Sequence, residues 1–238
     1  MASALPAGLR VHQDGAVGWL EFDRPDAGNA FDGAILDALP GVWHSLDADP
    51  SIRAVVVIGS GRAFQTGLDV RQLAKDPQAL KAASRRTRNG NPGLTGWHLK
   101  LGVPVVAAIN GICAGGGLHY VVDADIVIAS TAASFLDPHV SVGQVSAYES
   151  IGLARRGAFG EAARLALLGA HGKVDAERAR QVGWVSEVVP PERLRARASE
   201  LAHQIAAQAR ERTREVRAAL WCAQEVGRSE AIGRRSPE

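Results

Sequence analysis

The sequence is poor in cysteine. Two of 238 residues are cysteine, Cys113 and Cys222, and they lie too far apart to form a metal-spaced pair or a disulfide framework. Free, buried thiols in a reducing cytoplasmic setting are the expectation. A strong charge of one sign is also missing. The formal net charge is +2, too mild a bias to argue for nucleic acid as a partner. No apolar run approaches the ~18 residues of a membrane span, so no membrane partner is expected. The opening residues, MASALPAGLR, lack a charged segment followed by an apolar one, so no secretory leader is read. No internal repeat is convincing, and no linker splits the core.

What is present suits one packed α/β unit. Hydrophobic residues make up 46% and charged residues 22%, enough for a sizeable core. Residues 9–22 read as a hairpin around Asp14-Gly15. Asp32 is a cap for a helix carrying Ile35, Leu36, Leu39, Val42, Trp43 and Leu46 at helical spacing. Pro40 inside it predicts a kink or an early break. Residues 52–59 (IRAVVVIG) and 104–109 read as buried strands, and a short helix is expected over 70–75. The polar stretch 76–96 is expected to be the most mobile part, lying over the acyl end of a bound ligand. Residues 134–142 read as an edge strand interrupted by Pro138. Helices are expected near 148–156, 161–168 and 175–181, with a last strand at 185–189. An Arg-rich amphipathic helix or helix pair fills 192–226. Strands alternating with helices imply an α/β fold.

The centre of the chain is VPVVAAINGICAGGGLHYVVDADIVIAS, residues 103–130. Gly115, Gly116 and Gly117 stand between a buried strand and a short helix. Without Cβ atoms the backbone there can approach another group closely. The first N–H groups of the helix have no intrahelical partner and favour an anion. The bland alternative is that the glycines only permit tight strand–helix packing.

Six pieces then occur in order: RPDAGNA at 24–30, GRAFQTGLD at 61–69, PVVAAINGICAGGG at 104–117, DADIVIAS at 123–130, ASFLDPHVSVG at 133–143 and VDAERARQVGWVSEVVP at 174–190. Each is weak alone, but the ordered set, over nearly the whole chain, resembles the enoyl-CoA hydratase/isomerase, or crotonase, superfamily. The resemblance implies a crotonase-like spiral of ββα units over residues 1–190 and a shorter than usual C-terminal helical segment over 191–238. It implies a homotrimer or hexamer. It implies an acyl-CoA thioester as substrate, with coenzyme A entering as part of it and no cofactor bound permanently. By motif position, the backbone N–H groups of Leu68 and Gly116 form an oxyanion hole for a thioester enolate, each worth ~3–4 kcal/mol by analogy with other such donors. The same likeness runs the coenzyme along Asp26 and Ala27 and along the loop holding Arg62, Gln65, Thr66, Gly67 and Asp69, with Gly115 beside the thioester. Arg62 is placed to meet a phosphate, or is a solvated surface arginine.

The chain departs from the hydratase pattern at both catalytic glutamates. His119 stands at the position two after the triplet, and His139 at the position after Pro138. Imidazole can act as acid or base near neutrality, but a neutral imidazole brings no negative charge. Two neighbouring imidazoles would not both charge easily. Glu149 is a third candidate, either as a base or as the far half of a capping box with Ser146; Tyr148 is a lesser candidate proton donor. No third ligand accompanies His119 and His139, so no metal site is expected. The expected activity is acyl-CoA processing through a stabilised enolate, poor on crotonyl-CoA. The alternatives are a catalytically silent CoA-thioester-binding paralogue and a purely structural subunit.

Overall fold

The computed structural model describes residues 5–76, 78 and 93–233. Most of the segment expected to be mobile therefore lies outside the described residues. The chain opens with strands β1 (Leu9–Asp14) and β2 (Val17–Phe22), paired antiparallel around Gly15. Helix α1 (Gly33–Ala48) is capped by Asp32, whose Oδ1 accepts the Ile35 N–H at 2.8 Å. It does not break at Pro40. The ring removes one helical hydrogen bond and costs ~3 kcal/mol in an isolated helix. Burial of Ile35, Leu39, Val42, Trp43 and Leu46, at ~1.5–3 kcal/mol for each large apolar side chain, outweighs it.

The next strands alternate long and short. They are β3 (Ala54–Gly59), β4 (Ala63–Gln65), β5 (Val105–Ile109), β6 (Ile112–Ala114), β7 (Ile126–Ser130) and β8 (Ser134–Leu136). Helix α2 (Val70–Lys75) follows β4, and α3 (Leu118–Asp123) follows β6. The long strands enter one six-stranded sheet, ordered β1-β2-β3-β5-β7-β10. The short ones enter a second sheet, ordered β4-β6-β8-β9, with β9 (Val174–Asp175) and β10 (Glu187–Val189) supplied later. From β2 through β10 the large sheet is parallel. Repetition of long strand, short strand and helix is the expected ββα spiral. Residues 134–142 are not an edge strand: β8 lies between β6 and β9, and His139–Val142 form a 3-10 turn after Pro138.

Helix α4 (Tyr148–Arg156) packs on α3 and on α5 (Phe159–Leu168), and α6 (Ala176–Gln181) packs on β8 and β9; α7 (Pro191–Ala206), α8 (Arg210–Glu225) and α9 (Arg228–Gly233) follow. One core fills the space between the sheets and α1. A second lies under α7, whose Leu194, Ala198, Ala202 and Ala206 cover Val56, Val106 and Ile128 of the large sheet. The apolar stripe of α7 is thus used within the subunit. Cys113 is buried and Cys222 half-buried, both free. Among the described residues no helix is long and apolar enough to cross a membrane.

Candidate functional site

The site lies where the short strands end. After β6 the chain passes through a 3-10 turn, Gly115–Gly117, into α3. A Cβ on Gly117 would come 2.3 Å from the Gln65 carbonyl oxygen, so only glycine permits this approach. Opposite the triplet, the Phe31 N–H donates to the Gly67 carbonyl and the Asp69 N–H to the Phe31 carbonyl, both at 2.8 Å. Alternate amides of an extended segment point to opposite sides. The Leu68 N–H between them therefore points away from Phe31. Gly67 has φ +88°, and a Cβ there would meet the Gly116 nitrogen at 3.2 Å. The 67–68 backbone and the Gly116 amide thus adjoin. Helix α3 has only six residues, so its dipole is smaller than the sequence suggests and the individual amides carry the electrostatics.

The loop is braced by side chains that the sequence places near ligand. Gln65 is fully buried; its Oε1 accepts the Gly67 N–H at 2.8 Å and its Nε2 donates to the Gly67 carbonyl at 3.0 Å. Asp69 caps α2 through the Arg71 and Gln72 N–H groups and pairs with Arg24 at 2.9 Å. The Thr66 hydroxyl donates to the Gly28 carbonyl at 3.0 Å. These side chains shape the backbone. Asp26 and Ala27 line an open cavity of about 420 Å³ with Arg24, Arg71 and Asp69; Arg62 is exposed outside it. Arg24 opens the RPDAGNA piece without being read there as a site residue, and Arg71 lies outside the six pieces.

The two histidines converge on Glu149. His119, on α3, brings its Nε2 to 3.1 Å from Glu149 Oε1, and the His139 Nε2 lies 3.9 Å from the same oxygen. Glu149 sits on the first turn of α4 and is buried. Its carboxyl lies below the usual glutamate value: burial pushes it up, but the His119 hydrogen bond and the two imidazoles outweigh burial. His139 is partly exposed, with its Cε1 3.8 Å from where a Gly115 Cβ would stand. Its Nδ1 is 2.6 Å from Asp137 Oδ1, and this bond raises its pKa above 6.5, with the Glu149 charge adding to it. Asp137 is held below the usual carboxylate range, because hydrogen bonds from His139 and Ser146 outweigh its burial. The negative charge that two imidazoles lack is therefore supplied by Glu149. Ser146 makes no cap to α4. Its hydroxyl contacts Asp137 and lies 3.4 Å from Glu149 Oε2, which sets aside the capping-box alternative.

Behind His119 lies a second layer that sequence spacing gave no means of finding. His98, in the turn before β5, has its Nε2 3.3 Å from His119 Nδ1 and 3.1 Å from Asp123 Oδ2. Asp123 also accepts the Thr95 hydroxyl at 2.7 Å and the Tyr148 hydroxyl at 3.2 Å. Burial raises Asp123 to about 6 against these donors. Tyr148 is pushed far above its ordinary value by burial and by Asp123, so its hydroxyl keeps its proton and donates it to Asp123. The turn itself is pinned by the Leu94 carbonyl, which accepts from Tyr120 and Trp43 at 2.7 and 2.9 Å.

His98, His119 and Asp123 have the donor types and proximity of a metal site, their ligand atoms within 4.8 Å of one another. The hydrogen bonds do not fit one. His98 Nδ1 accepts the Leu94 and Thr95 N–H groups at 3.0 and 3.3 Å. A neutral imidazole so held carries its proton on Nε2, the atom that would face the ion. A larger cavity, about 580 Å³, lies beyond Tyr148 and Trp97, against Trp221 of α8. Neither His119, His139 nor the glycine triplet lines it.

Comparisons with known proteins give the family and the fold. Residues 12–232 match the enoyl-CoA hydratase/isomerase family. The chain is 33% identical over 206 residues to (E)-benzylidenesuccinyl-CoA hydratase of Thauera aromatica, covering 86% of this chain and 78% of that one. It is 36% identical over 176 residues to mevalonyl-coenzyme A hydratase of Beauveria bassiana, covering 71% of this chain and 61% of that one. Among solved structures, an enoyl-CoA hydratase/isomerase from Mycobacterium paratuberculosis superposes with a TM-score of 0.86 at 33% identity, covering 98% of this chain and 88% of that one. The α/β spiral, the ordered glycine-bearing loops and these matches place the chain in the enoyl-CoA hydratase/isomerase family of the crotonase superfamily.

Proposed function

We propose that the protein adds water to, or removes it from, the α,β-carbons of an acyl-CoA thioester, with Glu149 as base and His139 as acid. The observation that carries this reading is the carboxylate–imidazole pair, Glu149 Oε1 and His139 Nε2, 3.9 Å apart beside the glycine triplet. In the hydration direction Glu149 takes a proton from water as its oxygen attacks the β-carbon. The thioester oxygen becomes an enolate, held by the Leu68 and Gly116 N–H groups. His139, charged through Asp137, gives its proton to the α-carbon. Transfer of the proton from Glu149 to His139 restores both groups, and the net change is one added water. His119 is then a positioning residue: its Nε2–H orients Glu149 and favours the ionised form.

No permanently bound cofactor enters this scheme; coenzyme A is part of the substrate and runs past Asp26, Ala27 and Arg62. Two of the relatives named above are a mevalonyl-coenzyme A hydratase and an (E)-benzylidenesuccinyl-CoA hydratase, which supports a substrate bulkier than crotonyl-CoA. The exposed Val142, Phe159 and Leu167 lie on elements that pack together and support assembly into a trimer or hexamer. A panel of enoyl- and 3-hydroxyacyl-CoA thioesters, analysed by mass, tests the reading. Gain or loss of water on a bulky member supports it, and turnover of none is the outcome expected of a silent CoA-binding paralogue.

A further inference from the structure

Among the described residues, the buried groups His98, Asp123 and Thr95 have no contact with the glycine triplet, yet they form one connected set with His119. The direction of every proton in this set follows from its ends. The Leu94 and Thr95 N–H groups can only donate, so His98 Nδ1 accepts. Burial, with the nearby His119 second, pushes His98 down to about 2, so it is neutral and its single proton is on Nε2. That N–H is hydrogen-bonded to His119 Nδ1 at 3.3 Å, and Asp123 Oδ2 lies 3.1 Å from the same nitrogen. A proton on His119 Nδ1 would point at the His98 N–H. His119 Nδ1 is therefore the acceptor, and its own proton is on Nε2, facing Glu149 Oε1 at 3.1 Å.

We infer that His98 is a positioning residue that fixes the tautomer of His119 and so aims the His119 Nε2–H at Glu149. The order of donation runs from the 94–95 backbone through His98 and His119 to the Glu149 carboxylate. Asp123 keeps the His98 ring in register, and Thr95 and Tyr148 saturate the rest of Asp123. The opposite tautomer of His119 would turn a lone pair toward Glu149, set two acceptors against each other and push the carboxylate out of the site. The groups facing His119 are His98, Asp123, Tyr148 and Glu149, with His139 beyond Glu149. The importance of this lock for turnover rests on Glu149 being the base; the lock itself rests on the hydrogen bonds of His98, on its burial and on the distance from His119 Nε2 to Glu149.

The test is a long-range proton–nitrogen NMR spectrum of the whole protein labelled with nitrogen-15 histidine, His119 being assigned from a His119→Gln variant. The expected pattern for His119 is an unprotonated Nδ1 and a protonated Nε2. His98→Leu should give mixed His119 tautomers and lower kcat by about 10-fold or more, as loss of an imidazole's orienting partner does elsewhere, with little change in KM. His98→Gln, whose amide can still donate, should restore the single tautomer and most of kcat. A wild-type His119 protonated on Nδ1 overturns the inference, even if His98→Leu does not fold. So does a His98→Leu variant with the wild-type tautomer and kcat. Stoichiometric zinc binding that displaces the ring protons and is lost in His98→Gln overturns it too, in favour of a metal site. A Glu149→Gln variant that stays active while the His119 pattern holds would refute the base, not the lock.

Discussion

Replacing Glu149 by Gln removes a charge with little change of shape. Gln keeps an oxygen to accept the His119 Nε2–H, so the buried side chain keeps its position. Two effects follow. The base is lost, and positioned proton transfer typically contributes ~10²–10⁴-fold, so kcat should fall by that factor. The charge 3.9 Å from His139 Nε2 is also lost; two unit charges about 4 Å apart near a protein surface interact by up to about 4 kcal/mol. His139 keeps Asp137, the larger cause of its raised pKa, so its titration moves downward without returning fully to 6.5. The sign for stability follows. His139 stabilises the fold while charged, fully below its unfolded value and decreasingly as pH rises through its raised folded value. The loss of melting temperature in the variant should therefore be larger at about pH 6 than at about pH 9. Initial rates on the best thioester, with melting curves at both pH values, measure each effect. A folded variant with more than about a third of parental kcat, against the ~10²-fold minimum expected, would refute Glu149 as the base.

The pH–rate profile should be bell-shaped, falling on the acid side below 4.5 as Glu149 is protonated and on the basic side above 6.5 as His139 loses its proton; a rate that rises with pH through that upper region contradicts His139 as acid. Asp137→Asn should pull the basic limb down further than Glu149→Gln does, since Asp137 is the larger cause. Gly67→Ala forces a side chain into φ +88° and to 3.2 Å from the Gly116 nitrogen, and should lower kcat by ~10²-fold or more through the displaced donors; near-parental kinetics would separate that backbone from the chemistry. Light scattering should give a trimer or hexamer, and a monomer at micromolar concentration contradicts the assembly reading.

Much of the fold is legible because the signals are local. Asp32 caps the helix that follows it, and the apolar runs at 54–59 and 105–109 are fully buried in the large sheet. Pro40 misleads because its local cost is exceeded by tertiary burial on the same helix. Residues 134–142 mislead because apolar alternation cannot reveal that Pro138 ends the strand and starts a tight turn. The site is half legible. His119, His139 and Glu149 stand out against the family motif, yet only the three-dimensional arrangement shows that one carboxylate oxygen lies between both imidazoles. His98 carries no signal at all: its partner atoms come from a turn and from a helix 21 residues away. Gln65 reads as a ligand contact but spends both ends of its amide on Gly67, because a buried amide must satisfy its polar groups.

The central claim is that water is added to, or taken from, the α,β-carbons of an acyl-CoA thioester. Incubation of the protein with bulky enoyl-CoA thioesters in oxygen-18 water, followed by mass analysis of the intact thioester, tests it directly. The predicted product is an intact 3-hydroxyacyl-CoA carrying one heavy oxygen on the acyl chain, absent in the Glu149→Gln variant. Release of free coenzyme A with the heavy oxygen in a carboxylate, or an unchanged mass with a moved double bond, would contradict it.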